Sequence, residues 1–481
     1  MNPIAELLES RPASHPALVA ISREGERRLW HLGELGARAA GLSGAFAARG
    51  VGRGDVVMTL VGSRVEWVLA LLACWRMGAV ALPCNTQLRR HDLEHRVSQA
   101  NPRLCVGEEE LLAGLPGGVD GMTMAEIADS LDEDRPQQTP ADVADLDPSD
   151  PALIVFTSGT TGEPRGAVHP VSYLGAQRAQ AEHWLGAREG DLVWVTTATG
   201  WSKSARNVFL APWLMGAAAL ICDARFDPAS RLEVCRHEGV RVLCQAPTEY
   251  RMLAASGSLR PLPDLRRAVS AGEALGADVL AEFRKAWDVD VADGYGQTET
   301  GHVSGNLVGR EVRPGSMGQP LPGIDVRISD GELQVRAGSC PTFFSGYLDA
   351  DGSPELVEGE WWATGDLVSA DEDGYLFHQG RGDDIISSSG YRIGPGEVES
   401  ALLEHPAVVE AAAVPAPDPE RGSVVKAVVV VRGHEPSEEL ARELQEHVKR
   451  VTAPYKFPRI IEFADELPRT PSGKLRRAAL R

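Results

Sequence analysis

Apolar residues along the chain gather in short runs, and these runs alternate with amphipathic stretches. The spacing predicts a buried strand from Asp55 to Val61, then a helix from Arg64 to Met77. Gly78 stops that helix before a strand from Ala79 to Leu82. Residues 107–150 are acidic and weakly periodic, which predicts a surface excursion with a short helix and no separate domain. Ala152 to Phe156 reads as a buried strand. Further strands are expected over Leu192–Thr196, Ala217–Cys222, Val240–Cys244 and Leu265–Ser270, with a helix from Ala205 to Met215. Such alternation predicts a largely parallel sheet with helices on both faces. From Ile324 to Phe377 the pattern changes to short strands joined by Asp330-Gly331, Asp351-Gly352 and Asp373-Gly374, a hairpin signature. Beyond Arg381, helices over Glu397–Glu404 and Ser437–Lys449 and strands over Val408–Val414 and Val424–Val431 outline a compact α+β unit. The expected class is α/β. A large region, 1–380, holds mostly parallel sheets flanked by helices plus a β-rich section. A hinge at 381–384 leads to a small mobile α+β domain, 385–481.

Composition changes this picture little. A chain of 481 residues exceeds one ordinary core, and 43% hydrophobic with 24% charged residues is usual for a globular protein. A net charge of −20 argues against nucleic acid or an anionic membrane as a general partner. Any anionic substrate must therefore meet local positive charge. The seven cysteines form no CxxC pair and several sit in apolar runs, so free buried thiols in a reducing cytoplasm are expected. The N-terminus lacks the pattern of a secretory signal, and no run is apolar enough to span a bilayer.

The chemistry concentrates after the strand ending at Phe156, in Thr157-Ser158-Gly159-Thr160-Thr161-Gly162-Glu163-Pro164-Arg165-Gly166. Glycines let backbone N–H groups approach a phosphate, the hydroxyls add donors, and Arg165 adds a fixed charge. The loop lacks the Gly-Lys-Ser/Thr of a Walker A motif. Four further segments follow in order: Tyr295-Gly296-Gln297-Thr298-Glu299, Thr364-Gly365-Asp366, Gly380-Arg381-Gly382-Asp383-Asp384 and Pro471-Ser472-Gly473-Lys474.

On these five motifs the chain resembles the adenylate-forming acyl-CoA synthetases over nearly its whole length. Gly200-Trp201 followed by Ala211-Pro212-Trp213 looks most like the medium-chain members. The resemblance implies that a carboxylate attacks the α-phosphorus of ATP, pyrophosphate leaves, and a thiol then displaces AMP from the acyl-adenylate. Positioning and electrostatics should dominate such a reaction. It implies that the loop from Thr157 to Gly166 embraces the β- and γ-phosphates, with Arg165 where the family carries lysine. Ser270-Ala271-Gly272-Glu273 and Asp293-Gly294-Tyr295-Gly296-Gln297 match the adenine site, with Tyr295 stacking on the base. Thr298 would bond the α-phosphate and Glu299 would hold Mg²⁺. Asp366 matches the carboxylate that accepts the ribose hydroxyls, and Arg381 reaches the ribose or phosphate. Lys474 would serve adenylation. Asp383 matches the pivot that exchanges it for the thiolation face, Ser389, Gly390, Tyr391 and Arg392.

The acid is read from the pocket residues. Family members specific for acetate carry tryptophan where this chain has Gly296, so an open pocket lined by Trp201, with Trp213 nearby, is expected. A medium-chain or aromatic acid would suit it, and Gly296→Trp should shift preference toward acetate. Lys203 alone does not argue for a diacid. Coenzyme A is the expected acceptor, because no carrier domain follows Lys474. An enzyme loading a separate carrier protein, a luciferase-like oxygenase and a non-catalytic nucleotide sensor are the alternatives. The implied partners are the acid, ATP and coenzyme A, and self-association as a homodimer stays open.

Overall fold

The computed structural model describes residues 2–131, 139–157, 164–272, 275–349, 351–355, 357–382, 384, 386–388, 391–418, 422–452, 456–469 and 475–481. The chain divides into two compact units. The first takes most of residues 1–325 together with 336–360, and the second takes 326–335 and 361–481.

Two large sheets build the first unit. Nine strands form one of them, and its interior consists of Arg267–Ala271, Val242–Gln245, Leu192–Val195 and Ala218–Cys222 in parallel register. Val291–Gln297 continues this parallel set beside Arg267–Ala271, and Gly301–Gly305 folds back against it as an antiparallel hairpin. The eight-stranded sheet centres on Val56–Leu60, Val80–Pro83 and Pro151–Phe156. On its one side Gly166–Pro170 and Gly346–Leu348 pair antiparallel. These are the parallel strands that the alternating pattern predicts, with bounds shifted by one or two residues.

Arg64 caps the helix Val65–Met77, and Gly78 ends it in the left-handed region at φ 79°. Almost every residue of this helix is buried, which is why its sequence is apolar all round. The excursion at 107–150 contributes more than a short helix: Asp120–Thr123 adds a parallel strand at the sheet edge beside Leu104–Gly107. Its Asp-Gly start reads as a turn in isolation, and only the pairing with its neighbour makes it a strand.

In the second unit, Val326–Ser329 and Glu332–Arg336 form a hairpin whose turn, Asp330-Gly331, has φ of 52° and 83°. That double positive φ is what an Asp-Gly turn supplies. The same four-stranded sheet holds Trp361–Ala370 and Leu376–Arg381. Farther along, Val408–Asp418, Gly422–Val431 and Ile460–Phe463 make a three-stranded sheet. Helices Pro395–Leu403 and Glu438–Val451 pack on it through Val398, Leu402, Leu440, Leu444 and Val448.

Candidate functional site

Adjacent parallel strands expose their carboxyl ends at one edge, the usual place for a ligand in such sheets. Here that edge brings two predicted segments together. Ser270 pairs with Asp293 and Ala271 with Gly294, so the chain leaving at Gly272 runs beside the Tyr295–Gln297 stretch. Gly272 adopts φ 122°, a conformation that side-chain-bearing residues rarely take. Lys203 reaches this edge as well, its ammonium donating to the Ala271 carbonyl. The Asp293 carboxyl accepts the Gly294 N–H at 2.9 Å. Burial pushes Asp293 up to about 8, with the Gly294 N–H and nearby Lys203 pulling the other way.

The turn Thr298–Thr300 is held from the segment Cys340–Tyr347, which the motif reading passed over. The Thr342 hydroxyl donates to the Thr300 carbonyl at 2.6 Å, and the Phe344 N–H donates to the Glu299 carbonyl at 2.8 Å. Tyr347 Oη donates to the Glu299 carboxylate at 2.6 Å. Tyr347 belongs to the second large sheet, opposite Ala167, and the Arg165 guanidinium lies 3.7 Å from the centre of its ring. One phenol thus joins the carboxylate of one motif to the cation of another. The base of the phosphate loop is closed by Thr157 N–H to the Arg165 carbonyl at 2.9 Å and Arg165 N–H to Thr157 Oγ1 at 3.2 Å. The tip of that loop, Ser158 to Glu163, lies outside the described residues, as do Glu273, Asp383, Ser389, Gly390 and Lys474. For Tyr391 and Arg392 only the backbone strand Tyr391–Ile393 is described.

Within the second unit Asp366 is 5% exposed and pairs in register with Arg381. Its Oδ1 lies 3.2 Å from His378 Nε2 and 3.5 Å from Arg381 Nη1. His378 is a neighbour that no sequence motif announced. A carboxylate held this way keeps a fixed orientation.

The acid-pocket expectation needs correction at two residues. A Cβ on Gly296 would lie 1.9 Å from the Gly301 carbonyl oxygen and 2.8 Å from the His302 Cα. The glycine therefore admits the returning strand of its own hairpin instead of leaving room for substrate. Gly296→Trp would displace that strand. Trp213 is core: it is buried, and its indole N–H donates to the Ala17 carbonyl at 2.7 Å. Trp201 stays half-buried where the chain enters Ser202–Ala205. Beside it Gly200, at φ 90°, passes so close to Cys84 and Asn85 that a Cβ would strike their backbone. The predicted helix from Ala205 to Met215 exists but carries a π-helical turn, Arg206–Leu210.

The comparisons with known proteins say which class of protein carries this turn, loop base and strand edge. Residues 8–346 match the model of the AMP-binding enzyme family, and residues 397–474 match that of the AMP-binding enzyme C-terminal domain. The chain belongs to this family, and within it to the acyl-CoA synthetases, which are acid–thiol ligases. It is 38% identical to an uncharacterized acyl-CoA ligase of Bacillus subtilis, YtcI, over 97% of this chain and 92% of that one. A mitochondrial acyl-coenzyme A synthetase of Mus musculus is also 38% identical, over 97% of this chain and 86% of the relative. Among solved structures, an anthranilate CoA ligase in complex with anthranoyl-AMP superposes with a TM-score of 0.89 at 30% identity, covering 100% and 96% of the two chains. A benzoate CoA ligase from Burkholderia xenovorans superposes with a TM-score of 0.87 at 26% identity, covering 100% of both. No helix among the described residues is long and apolar enough to cross a membrane.

Proposed function

We propose that the protein adenylates a medium-chain or aromatic carboxylic acid with ATP, releases pyrophosphate, and passes the acyl group to coenzyme A with release of AMP. The observation that carries this reading is the Glu299 carboxylate, aimed by Tyr347 and set one residue after Thr298. Glu299 is a hard oxygen donor, and among the described residues no cluster of three acidic, histidine or cysteine side chains competes with it. One carboxylate plus substrate phosphates is a common way to hold Mg²⁺, so Glu299 fits that ion, which would neutralise phosphate charge. Thr298 supplies a hydroxyl to the α-phosphate, and Arg165 and the loop from Thr157 to Gly162 offset charge on the leaving pyrophosphate. Gly272, Glu273 and the stretch Asp293–Gln297 cradle the adenine, with Tyr295 stacked on it. Asp366 takes the ribose hydroxyls and Arg381 lies beside it.

Lys474 acts in adenylation, and the segment Ser389–Arg392 in thiolation, exchanged by rotation of residues 385–481 about Asp383. Seven free thiols, most of them buried, fit a reducing compartment such as the cytoplasm. The test is AMP release with ATP, Mg²⁺ and coenzyme A across straight-chain and aromatic acids. AMP formed only when coenzyme A is present supports the ligase. Acid-dependent pyrophosphate exchange without coenzyme A turnover would favour a carrier-loading enzyme instead. Lys474→Ala is expected to abolish exchange while sparing thioester formation from supplied acyl-adenylate, and equal loss of both steps would refute its role.

A further inference from the structure

The segment Ser202–Leu214 carries a charge into the interior of the first unit. Arg206 opens its π-helical turn and is 2% exposed. Its Nε and Nη1 find no hydrogen-bond partner among the described residues, and no carboxylate there pairs with it. Other orphaned polar atoms surround it. Both ring nitrogens of His169, both side-chain polar atoms of Asn207 and the His302 Nε2 are likewise buried without a partner there, and the Tyr173 hydroxyl lies beside the guanidinium. Burial, with Arg206 nearby, pushes His169 down to about 3 and His302 well below its ordinary value, so both rings are neutral. Lys203, three residues earlier, is committed to the Ala271 carbonyl.

The cluster adjoins the proposed reacting centre. Arg206 Nη1 lies 3.3 Å from where a Cβ on Gly301 would sit, two residues past Glu299. A small cavity next to it is lined by Gln180, His302, Leu321, Ile324 and Thr342. Burying a cation without a counter-anion is costly, and neutral neighbours offset that cost only in part. π-helical insertions recur at functional sites, because an extra residue re-aims a side chain. The sum of these features is a buried guanidinium that no described carboxylate neutralises.

We propose that Arg206 receives a second acidic group of the substrate, so that the preferred acid is a dicarboxylate with an apolar or aromatic spacer. Its near carboxylate is adenylated at the Thr298–Glu299 turn, and its far carboxylate pairs with the guanidinium fork. Tyr173, Asn207 and the neutral histidines complete that pairing as donors. The inference rests on the ligase reading above. A monocarboxylate of equal length would leave the cation unpaired, which sites built for a polar group reject strongly.

The experiment compares hexanedioate with hexanoate, and benzene-1,4-dicarboxylate with benzoate. Binding is followed by calorimetry in the presence of a non-hydrolysable ATP analogue, and adenylation by pyrophosphate exchange. Wild type, Arg206→Leu and Arg206→Lys are measured. The expected result is a wild-type preference for at least one diacid over its monoacid of roughly 10-fold or more. Arg206→Leu should reverse that order while melting no lower than wild type, and Arg206→Lys should retain part of the preference. No diacid preference in the wild type, or equal loss for mono- and diacids in Arg206→Leu, overturns the proposal. Diacid binding without exchange would sink the ligase reading while leaving the pairing of the far carboxylate with Arg206 standing. Exchange with monoacids alone would do the reverse, and neither binding nor exchange with any acid overturns both.

Discussion

Tyr347→Phe isolates the contact that aims Glu299. The substitution removes one oxygen and leaves the ring, so the stack under Arg165 at 3.7 Å and the edge contact with Phe344 at 4.9 Å both survive. What is lost is a 2.6 Å hydrogen bond to the carboxylate. Hydrogen bonds to charged groups contribute about 1.5–3 kcal/mol. Glu299 is half-buried and regains water when released, so the stability loss should stay near or below about 1 kcal/mol. If the bond serves to orient Glu299 in the transition state, its loss slows adenylation by roughly 10- to 100-fold. Acid-dependent pyrophosphate exchange should show that fall in kcat with little change in the KM for the acid, and melting should barely move. Tyr347→Leu also loses the cation–π contact, about 0.5–1 kcal/mol at an exposed site, and should raise the KM for ATP as well. Exchange by Tyr347→Phe at the wild-type rate would refute the reasoning and return Tyr347 to a purely structural role.

Two further outcomes follow from the same strand edge. Gly296→Ala places a Cβ 1.9 Å from the backbone oxygen of Gly301, so about 3 kcal/mol of stability and roughly 5 °C of melting temperature should be lost. Unchanged melting, or acetate activity gained by Gly296→Trp, would restore the open-pocket reading. Asp293, raised from 3.8 to about 8, holds in the folded state a proton that the unfolded chain has released. Its stabilising contribution is therefore complete below pH 4 and is lost as pH rises toward 8, at up to about 1.4 kcal/mol per unit. Asp293→Asn should melt increasingly above wild type between pH 5 and 8, and a constant difference would place the carboxyl near its ordinary value.

The sequence by itself determined where many of the buried strands and helices lie, because burial on a strand or helix leaves a period that survives in one dimension. Val65–Met77 with its Gly78 stop, and the hairpin at Asp330-Gly331, were legible for that reason. It also determined the order of motifs, and with it the class of chemistry. Neighbours were another matter. The nine-stranded sheet places its strands out of sequence order, so apolar runs could announce burial without naming what each run touches. Tyr347 meets Glu299 across 48 residues and from a different sheet, and His378 meets Asp366 only because a hairpin pairs their strands.

The open space expected at Gly296 vanished because Gly301 returns beside it, a fact of hairpin register that a missing side chain cannot reveal. The helix from Ala205 to Met215 was expected, yet its π turn was not, since one inserted residue changes the direction of a side chain while barely altering the apolar pattern. That turn sets Arg206 among His169, Tyr173 and His302, residues separated along the chain and joined by no motif. Local period and composition are set by single residues and their near neighbours. A buried cation that no described carboxylate pairs with exists only once packing has brought distant segments together, and that was decided by the tertiary structure.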